Sequence, residues 1–220
     1  MSLKYRPEID GLRAVAVLSV MIYHLKISLG GAALIPGGFL GVDLFFVLSG
    51  YLITLILLRE KEETGRISFG QFYLRRVRRI LPALFAVILV SLVVGWFLLT
   101  PADYDHMGRS ILSALLFVSN MWFWQNSGGY FDGATDYLPM LHTWSLAVEE
   151  QYYLFFPLLL MLFWRRTARG TVILLCAILV LSLVTSEILW RQAPEANFYL
   201  LPSRAWELMV GSLCAVSVLR

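Results

Sequence analysis

The chain has 220 residues, of which 59% are hydrophobic and 15% are charged, and its formal net charge is +3. Soluble domains are closer to about 45–50% apolar and about 25% charged, so this composition excludes an ordinary soluble enzyme and predicts an all-α, polytopic membrane protein. The small basic excess is better explained by loops that favour one side of a membrane than by a nucleic-acid partner.

Six apolar segments reach the length of about 20 residues that a membrane-spanning helix needs. They lie near 11–29, 39–58, 80–99, 143–164, 171–190 and 205–219. A seventh segment, 111–124, is too short for a regular span and predicts a re-entrant or distorted helix. We therefore expect a transmembrane helix bundle with about six to seven membrane segments.

The distribution of basic residues predicts the orientation of the chain. If the N-terminus is cytoplasmic and 111–124 does not cross, most of the 18 lysines and arginines lie on the cytoplasmic side. If 111–124 crosses, the division is less unequal. The positive-inside rule therefore favours a cytoplasmic N-terminus and a seventh segment that does not cross.

The first predicted membrane helix carries Asp10 and Arg13 near one end and His24 further along. Arg13 and His24 share one face, because eleven residues make three turns plus about 20°, and they lie ~16 Å apart along the axis. An ionisable group inside a membrane helix costs at least ~2.5 kcal/mol unless it faces a partner or a water-filled cavity. The pair therefore indicates a polar interior seam, although a histidine that only hydrogen-bonds to a neighbouring helix is the alternative.

Two other predicted helices carry acidic residues near an end. Asp43 follows a glycine-rich loop, and we expect it either to pair with His24 and fix its tautomer or to cap its own helix. Glu149 and Glu150 point about 100° apart, so one can face the interior while the other faces water. In the last segment, Arg204 and Glu207 are spaced for an internal ion pair.

A basic run precedes Pro82 and contains four arginines, which are Arg75, Arg76, Arg78 and Arg79. The guanidinium group can bind two phosphate oxygens at once, and Arg76 and Arg79 could converge on one polyphosphate ligand. The alternative is a cluster that only fixes topology and attracts anionic membrane lipid.

Five stretches in this order resemble the acyltransferase-3 family of bacterial integral membrane O-acyltransferases. They are the Arg13 to His24 spacing, 38–51, 75–82, 144–153 and 204–211. The resemblance implies one membrane acyltransferase domain over 1–220, corresponding to the N-terminal two-thirds of a longer domain. It also implies a multi-pass location in the bacterial inner membrane, and some relatives add a periplasmic esterase-like domain.

The resemblance further implies an activity and roles for residues. Family members move an acyl group, usually acetyl from cytoplasmic acetyl-CoA, to a hydroxyl of O-antigen, another surface polysaccharide or peptidoglycan. The family's catalytic histidine falls on His24 and its partner arginine on Arg13, while the role of Glu149 is left between structural and catalytic. The arginine pair associated with acyl-CoA falls on Arg76 and Arg79, or on Arg75 with Arg78 in the other register.

The expected ligands are thus acyl-CoA as co-substrate, a glycan acceptor and membrane lipid, without a metal. The rival from another class is a transporter or flippase component, in which the buried charges line a path for a glycan or an ion. It would move substrate without acyl transfer.

Overall fold

The computed structural model describes residues 7–127, 138–164 and 168–218, and most of them are α-helical, which confirms the all-α prediction. A two-stranded antiparallel hairpin, β1 (Ser28–Leu29) and β2 (Ala32–Ala33), follows the first helix. The helices are α1 (Pro7–His24), α2 (Gly41–Thr64), α3 (Phe69–Leu98), α4 (Pro101–Leu115), α5 (Ser119–Asn126), α6 (Thr143–Trp164), α7 (Ala168–Gln192), α8 (Pro194–Tyr199) and α9 (Leu201–Val218).

Within the described ranges, three helices are long and apolar enough to cross a membrane. They cover Gly38–Thr64, Phe69–Leu98 and Arg169–Gln192. The prediction of six to seven membrane segments is therefore not confirmed at that number. The other three predicted spans are long helices, α1, α6 and α9, but each carries charged groups that lower its hydropathy. Helices α1 and α6 hold three of the candidate site residues, Arg13, His24 and Glu149.

The short segment 111–124 is interrupted, as its length predicted. Helix α4 ends at Leu115, α5 begins at Ser119, and Phe117 between them has a φ of 53°. A bulky residue rarely adopts this left-handed conformation, so the helix cannot continue through it. The side-chain amide of Gln151 in α6 donates to the Phe117 carbonyl oxygen at 2.9 Å, which satisfies a group that the break has freed.

Helix α9 packs most extensively against α2 and α7 and forms the centre of the bundle. Two glycines permit the close approach of α2 and α9. A Cβ at Gly50 would collide with the Leu208 carbonyl oxygen, and one at Gly211 would collide with the Val47 carbonyl oxygen. Small residues at such positions are what allow membrane helices to approach backbone to backbone.

We expect Gly50→Ala to destabilise the protein by about 1–3 kcal/mol, because the added methyl group has no room against the backbone of α9. The measurement is thermal unfolding of the purified protein in detergent. The matched control is Gly108→Ala in α4, where a Cβ would meet nothing within 4 Å. Equal stability of the two variants would contradict the close α2–α9 contact.

Helix α3 is longer than a bilayer requires. Its 30 residues extend ~45 Å, whereas the hydrocarbon core is ~30 Å thick. The four arginines lie within the first eleven residues of the helix, so they can project beyond the hydrocarbon while the apolar remainder spans it. The Tyr73 hydroxyl donates to the Leu154 carbonyl oxygen at 2.9 Å and joins this part of α3 to α6.

Candidate functional site

Polar and charged side chains from α1, α2, α3 and α6 interact with one another inside the bundle, and we call this group the polar cluster. Its members are Arg13, Ser49, Arg76, Glu149, Glu150 and Tyr153. Three separate stretches of the sequence analysis, on α1, α3 and α6, therefore meet in one place.

Glu149 is the most buried carboxylate of the polar cluster, with 6% of its surface exposed. The hydroxyl of Ser49, which is fully buried in α2, donates to Glu149 Oε1 at 2.5 Å. Arg13 interacts electrostatically with Glu149 from α1, and its guanidinium lies 5.3 Å from the centre of the Phe45 ring. A hydrogen bond and a neighbouring cation together offset the cost of burying this charge.

The side chains of the arginines in the basic run point in different directions. Arg76 is half-buried, lies over the Phe72 ring at 5.9 Å, and interacts with Glu150 and Arg13. Arg75 is exposed and pairs with Glu60 on α2 at 3.2 Å. The guanidinium that faces the polar cluster is therefore that of Arg76.

The other two arginines of the run, Arg78 and Arg79, are exposed, and Arg79 interacts electrostatically with Arg76. The register of the predicted phosphate site, Arg76 with Arg79 or Arg75 with Arg78, stays a prediction.

Both adjacent glutamates take part in the polar cluster. The sequence allowed one of them to face water, but Glu150 is half-buried and interacts with Arg76, while Glu149 is buried beside Ser49. Both glutamates therefore interact with groups of the neighbouring helices α1, α2 and α3. Glu150 and Tyr153 are site residues to which the sequence analysis gave no role. The two adjacent glutamates were the signal that could have indicated this part of α6.

A second charged group connects α2 with α9, and we call it the Arg204 clamp; it consists of Arg204, Asp43 and Glu207. Arg204 Nη2 donates a hydrogen bond to Asp43 Oδ1. Arg204 Nε lies 3.2 Å from Glu207 Oε1, which confirms the predicted i,i+3 ion pair. The Glu207 side chain is 1% exposed and that of Arg204 is 15% exposed, so this is a buried ionic group.

Three aromatic rings surround the guanidinium of Arg204. Its central carbon lies 5.5 Å from the ring centre of Phe46, 5.8 Å from Trp144 and 5.6 Å from Phe198. Desolvated cation–π contacts of this kind add to the attraction of the two carboxylates. The clamp thus joins α2, α6, α8 and α9 at one level of the bundle.

Arg204 is the partner that the structure shows for Asp43. The prediction that Asp43 pairs with His24 took the neighbouring helix along the chain as the nearest partner, whereas the observed partner lies 161 residues away. The N-cap residue of α2 is Leu40, and Asp43 lies in the first turn of the helix, so Asp43 does not occupy the N-cap position. A pairing of Asp43 with His24 stays a prediction.

His24 is the last residue of α1 and is exposed. Its ring lies edge-on to that of Tyr23, with 5.4 Å between centroids, and Tyr23 contacts the Phe39 ring in turn. Helix α1 docks on α2 through Gly41, where a Cβ would collide with the Ala16 carbonyl oxygen. Eleven residues of helix place His24 ~16 Å from Arg13, so the imidazole and the polar cluster lie at different depths.

A small cavity of about 190 Å³ opens where α2 and α3 are joined, and it lies against the end of α6. Lys61 and Arg66 supply cationic groups to its wall. With Arg78 and Arg79 exposed on the first turns of α3, this end of the bundle presents a basic surface on which an anionic ligand can bind.

The comparison with known families agrees with this arrangement of motifs. The family model described as an acyltransferase domain matches residues 6–219. The chain belongs to the acyltransferase-3 family. An acyltransferase-3 protein with three apolar helices of spanning length is a multi-pass membrane protein.

Two relatives in the acyltransferase-3 family match 98% of the chain at 38% identity. They are "Peptidoglycan O-acetyltransferase OatA" of Listeria monocytogenes and "Putative peptidoglycan O-acetyltransferase YrhL" of Bacillus subtilis. "Putative O-acetyltransferase SAS0844" of Staphylococcus aureus is 45% identical over 72% of the chain.

The chain spans only 25% to 34% of the length of these relatives. No solved structure matches the chain.

Proposed function

We propose that this protein transfers an acetyl group from cytoplasmic acetyl-CoA to a hydroxyl of an extracytoplasmic glycan, with peptidoglycan as the first candidate acceptor. The observation that carries the proposal is the convergence of Arg13, Arg76 and Glu149 from three helices on one buried polar cluster. The names of the relatives support O-acetylation, and those from Listeria and Bacillus name peptidoglycan.

The proposed donor site begins at the basic end of α3. Coenzyme A is anionic through its phosphates, and guanidinium groups bind phosphate oxygens in pairs. Arg79 and Arg78 are exposed to receive the nucleotide, while Arg76 turns inward. A donor held there can extend its acyl end along the polar cluster toward His24.

The proposed chemistry takes place at His24. The imidazole removes the proton from the acceptor hydroxyl as its oxygen attacks the thioester carbonyl carbon. The new C–O bond forms, the C–S bond breaks, and the proton passes from the imidazole to the departing thiolate of coenzyme A. General-base catalysis of this kind contributes about 10²–10⁴-fold.

The proposal also includes the orientation of the protein in the membrane. The N-terminus lies in the cytoplasm of a bacterial cell, and the basic end of α3 faces the cytoplasmic pool of acetyl-CoA. His24, the last residue of α1 and ~16 Å along the helix from Arg13, then lies toward the outer face of the inner membrane, where a glycan arrives. Helices α1, α6 and α9 cross with the three apolar helices, because their charges face one another inside the bundle.

The experiment that tests the function is mass spectrometry of the surface glycans of the source bacterium with and without the gene. We expect O-acetyl esters on the glycan in the wild type, their loss on deletion, and their return with the complemented gene. A transporter or flippase component would instead change how much glycan reaches the surface while the acetyl content per sugar stays the same, and that result would overturn the proposal.

The donor site makes a separate prediction for Arg76. Arg76→Lys keeps the positive charge but removes the rigid, planar guanidinium that faces the polar cluster, so we expect an apparent KM for acetyl-CoA raised about tenfold at unchanged protein level. Arg75→Lys is the matched control, because Arg75 is exposed and bound to Glu60, and its KM is expected to stay within about twofold. Equal effects of the two substitutions would mean that the run acts only through its charge.

A further inference from the structure

We infer that the polar cluster is a binding site for the uncharged, amide-bearing arm of the acyl donor, and that Glu150 is a donor-binding residue within it. This inference rests on the proposed function, because it concerns the same donor. Neither the family resemblance nor the names of the relatives assign a donor-binding role to Glu150.

The first observation is a set of buried polar atoms without partners. Among the described residues, nothing accepts a hydrogen bond from Arg13 Nε or Arg76 Nε, and nothing donates one to Glu150 Oε1. A buried polar atom left unpaired costs about as much as a lost hydrogen bond, so each such atom in a native protein calls for an explanation. These three belong to one cluster, although they come from α1, α3 and α6.

The second observation is the balance of charge. The polar cluster combines two guanidinium groups, those of Arg13 and Arg76, with the carboxylates of Glu149 and Glu150. The formal charges cancel, so the cluster has no net charge with which to attract a further phosphate. It favours a neutral ligand that has both hydrogen-bond donors and acceptors.

The chemistry of the unpaired atoms matches an amide. An amide carbonyl accepts a hydrogen bond from a guanidinium Nε–H, and an amide N–H donates one to a carboxylate oxygen. The arm that joins the nucleotide of coenzyme A to its thiol contains two amides and no charge. Arg13 Nε and Arg76 Nε would donate to its carbonyl groups, and Glu150 Oε1 would accept from an N–H.

The position of the cluster fits this role. Arg76 lies next to the exposed Arg79 on α3, where the nucleotide is proposed to bind, and Arg13 lies ~16 Å along α1 from His24. The polar cluster is therefore between the two ends of the donor. Polar side chains along this path replace the water that the amides lose on entering the bundle.

The test measures equilibrium binding of two probes, coenzyme A and free pantetheine, to the purified full-length protein. Pantetheine has the amide arm without the nucleotide. In Glu150→Leu the accepting oxygen is removed, and we expect the Kd for both probes to rise roughly tenfold or more. Glu150→Gln keeps an oxygen that can accept but loses the charge that strengthens the hydrogen bond, so its Kd for both probes is expected to rise about threefold, less than in Glu150→Leu. Glu187→Leu, at an exposed glutamate of α7, is the matched control and is expected to bind like the wild type.

The outcomes distinguish the inferred role of Glu150 from the proposed identity of the donor. If Glu150→Leu binds both probes as the wild type does, the inference is wrong while the donor proposal stands. If the wild type binds neither probe, the proposed donor is wrong as well. If Glu150→Leu does not insert into the membrane, Glu150→Gln is measured instead. An unchanged Kd for both probes and an unchanged KM for acetyl-CoA in that folded variant would assign Glu150 a purely structural role and overturn the inference.

Discussion

Replacing His24 with alanine is expected to lower acetyl transfer by about 10²–10⁴-fold, because the general base of the proposed reaction is lost. The protein should still insert and fold, since His24 is exposed at the last residue of α1 and no close-packed core depends on it. The measurement is the initial rate of acetyl transfer by purified protein, normalised to the amount that elutes as a single species in detergent.

His106 supplies the matched control for His24. It lies in α4 with its ring 4.6 Å from that of Trp122, and it is a member of neither the polar cluster nor the Arg204 clamp. His106→Ala should transfer acetyl groups at a rate close to the wild type. Near-normal transfer by His24→Ala, or an equal loss in both variants, would remove His24 from the reaction.

Replacing Arg204 with methionine is expected to destabilise the protein by about 3–5 kcal/mol, because the substitution leaves the buried carboxylate of Glu207 and the half-buried one of Asp43 without their cation. The Glu207 side chain, at 1% exposure, is not solvated, and Asp43 loses the hydrogen bond that Arg204 Nη2 donates. The aromatic contacts with Trp144 and its neighbours would also lose their charge. Thermal unfolding in detergent measures the effect.

An exposed ion pair of similar spacing provides the control for Arg204. Arg191 and Glu187 in α7 are four residues apart, with side chains 75% and 62% exposed. Pairs of this kind contribute about 0–1 kcal/mol, so Arg191→Met should leave the unfolding temperature nearly unchanged. Similar stability of the two methionine variants would show that the Arg204 clamp does not hold α2 and α9 together.

The helices of this protein were predictable, because apolar runs of spanning length and a short interrupted segment depend on local composition. The break near Phe117 and the pairing of Arg204 with Glu207 are examples, since both depend on residues within a few positions of each other. The number of spanning helices was less predictable. Charges that pair inside a bundle lower the hydropathy of α1, α6 and α9, and composition alone does not show whether they pair.

The contacts between distant helices could not be read from the sequence in the same way. The choice of Arg76 over Arg75 depends on which face of α3 meets α6, and neighbouring residues on a helix differ by only 100° in direction. The partner of Asp43 depends on the packing of α2 against α9, which the glycines at 50 and 211 permit. Sequence proximity pointed to α1, whereas backbone packing brought Arg204 of α9 to Asp43.

The central claim is transfer across the membrane from a cytoplasmic donor to a glycan hydroxyl outside. Sealed membrane vesicles that contain the protein, with the cytoplasmic face outward and glycan fragments enclosed, test it most directly when isotope-labelled acetyl-CoA is added to the outside. The account predicts labelled O-acetyl ester on the enclosed glycan, and it predicts that the rate of labelling falls about 10²–10⁴-fold when His24 is replaced by alanine. Unlabelled glycan in vesicles with intact protein, or equal labelling with the alanine variant, would contradict it.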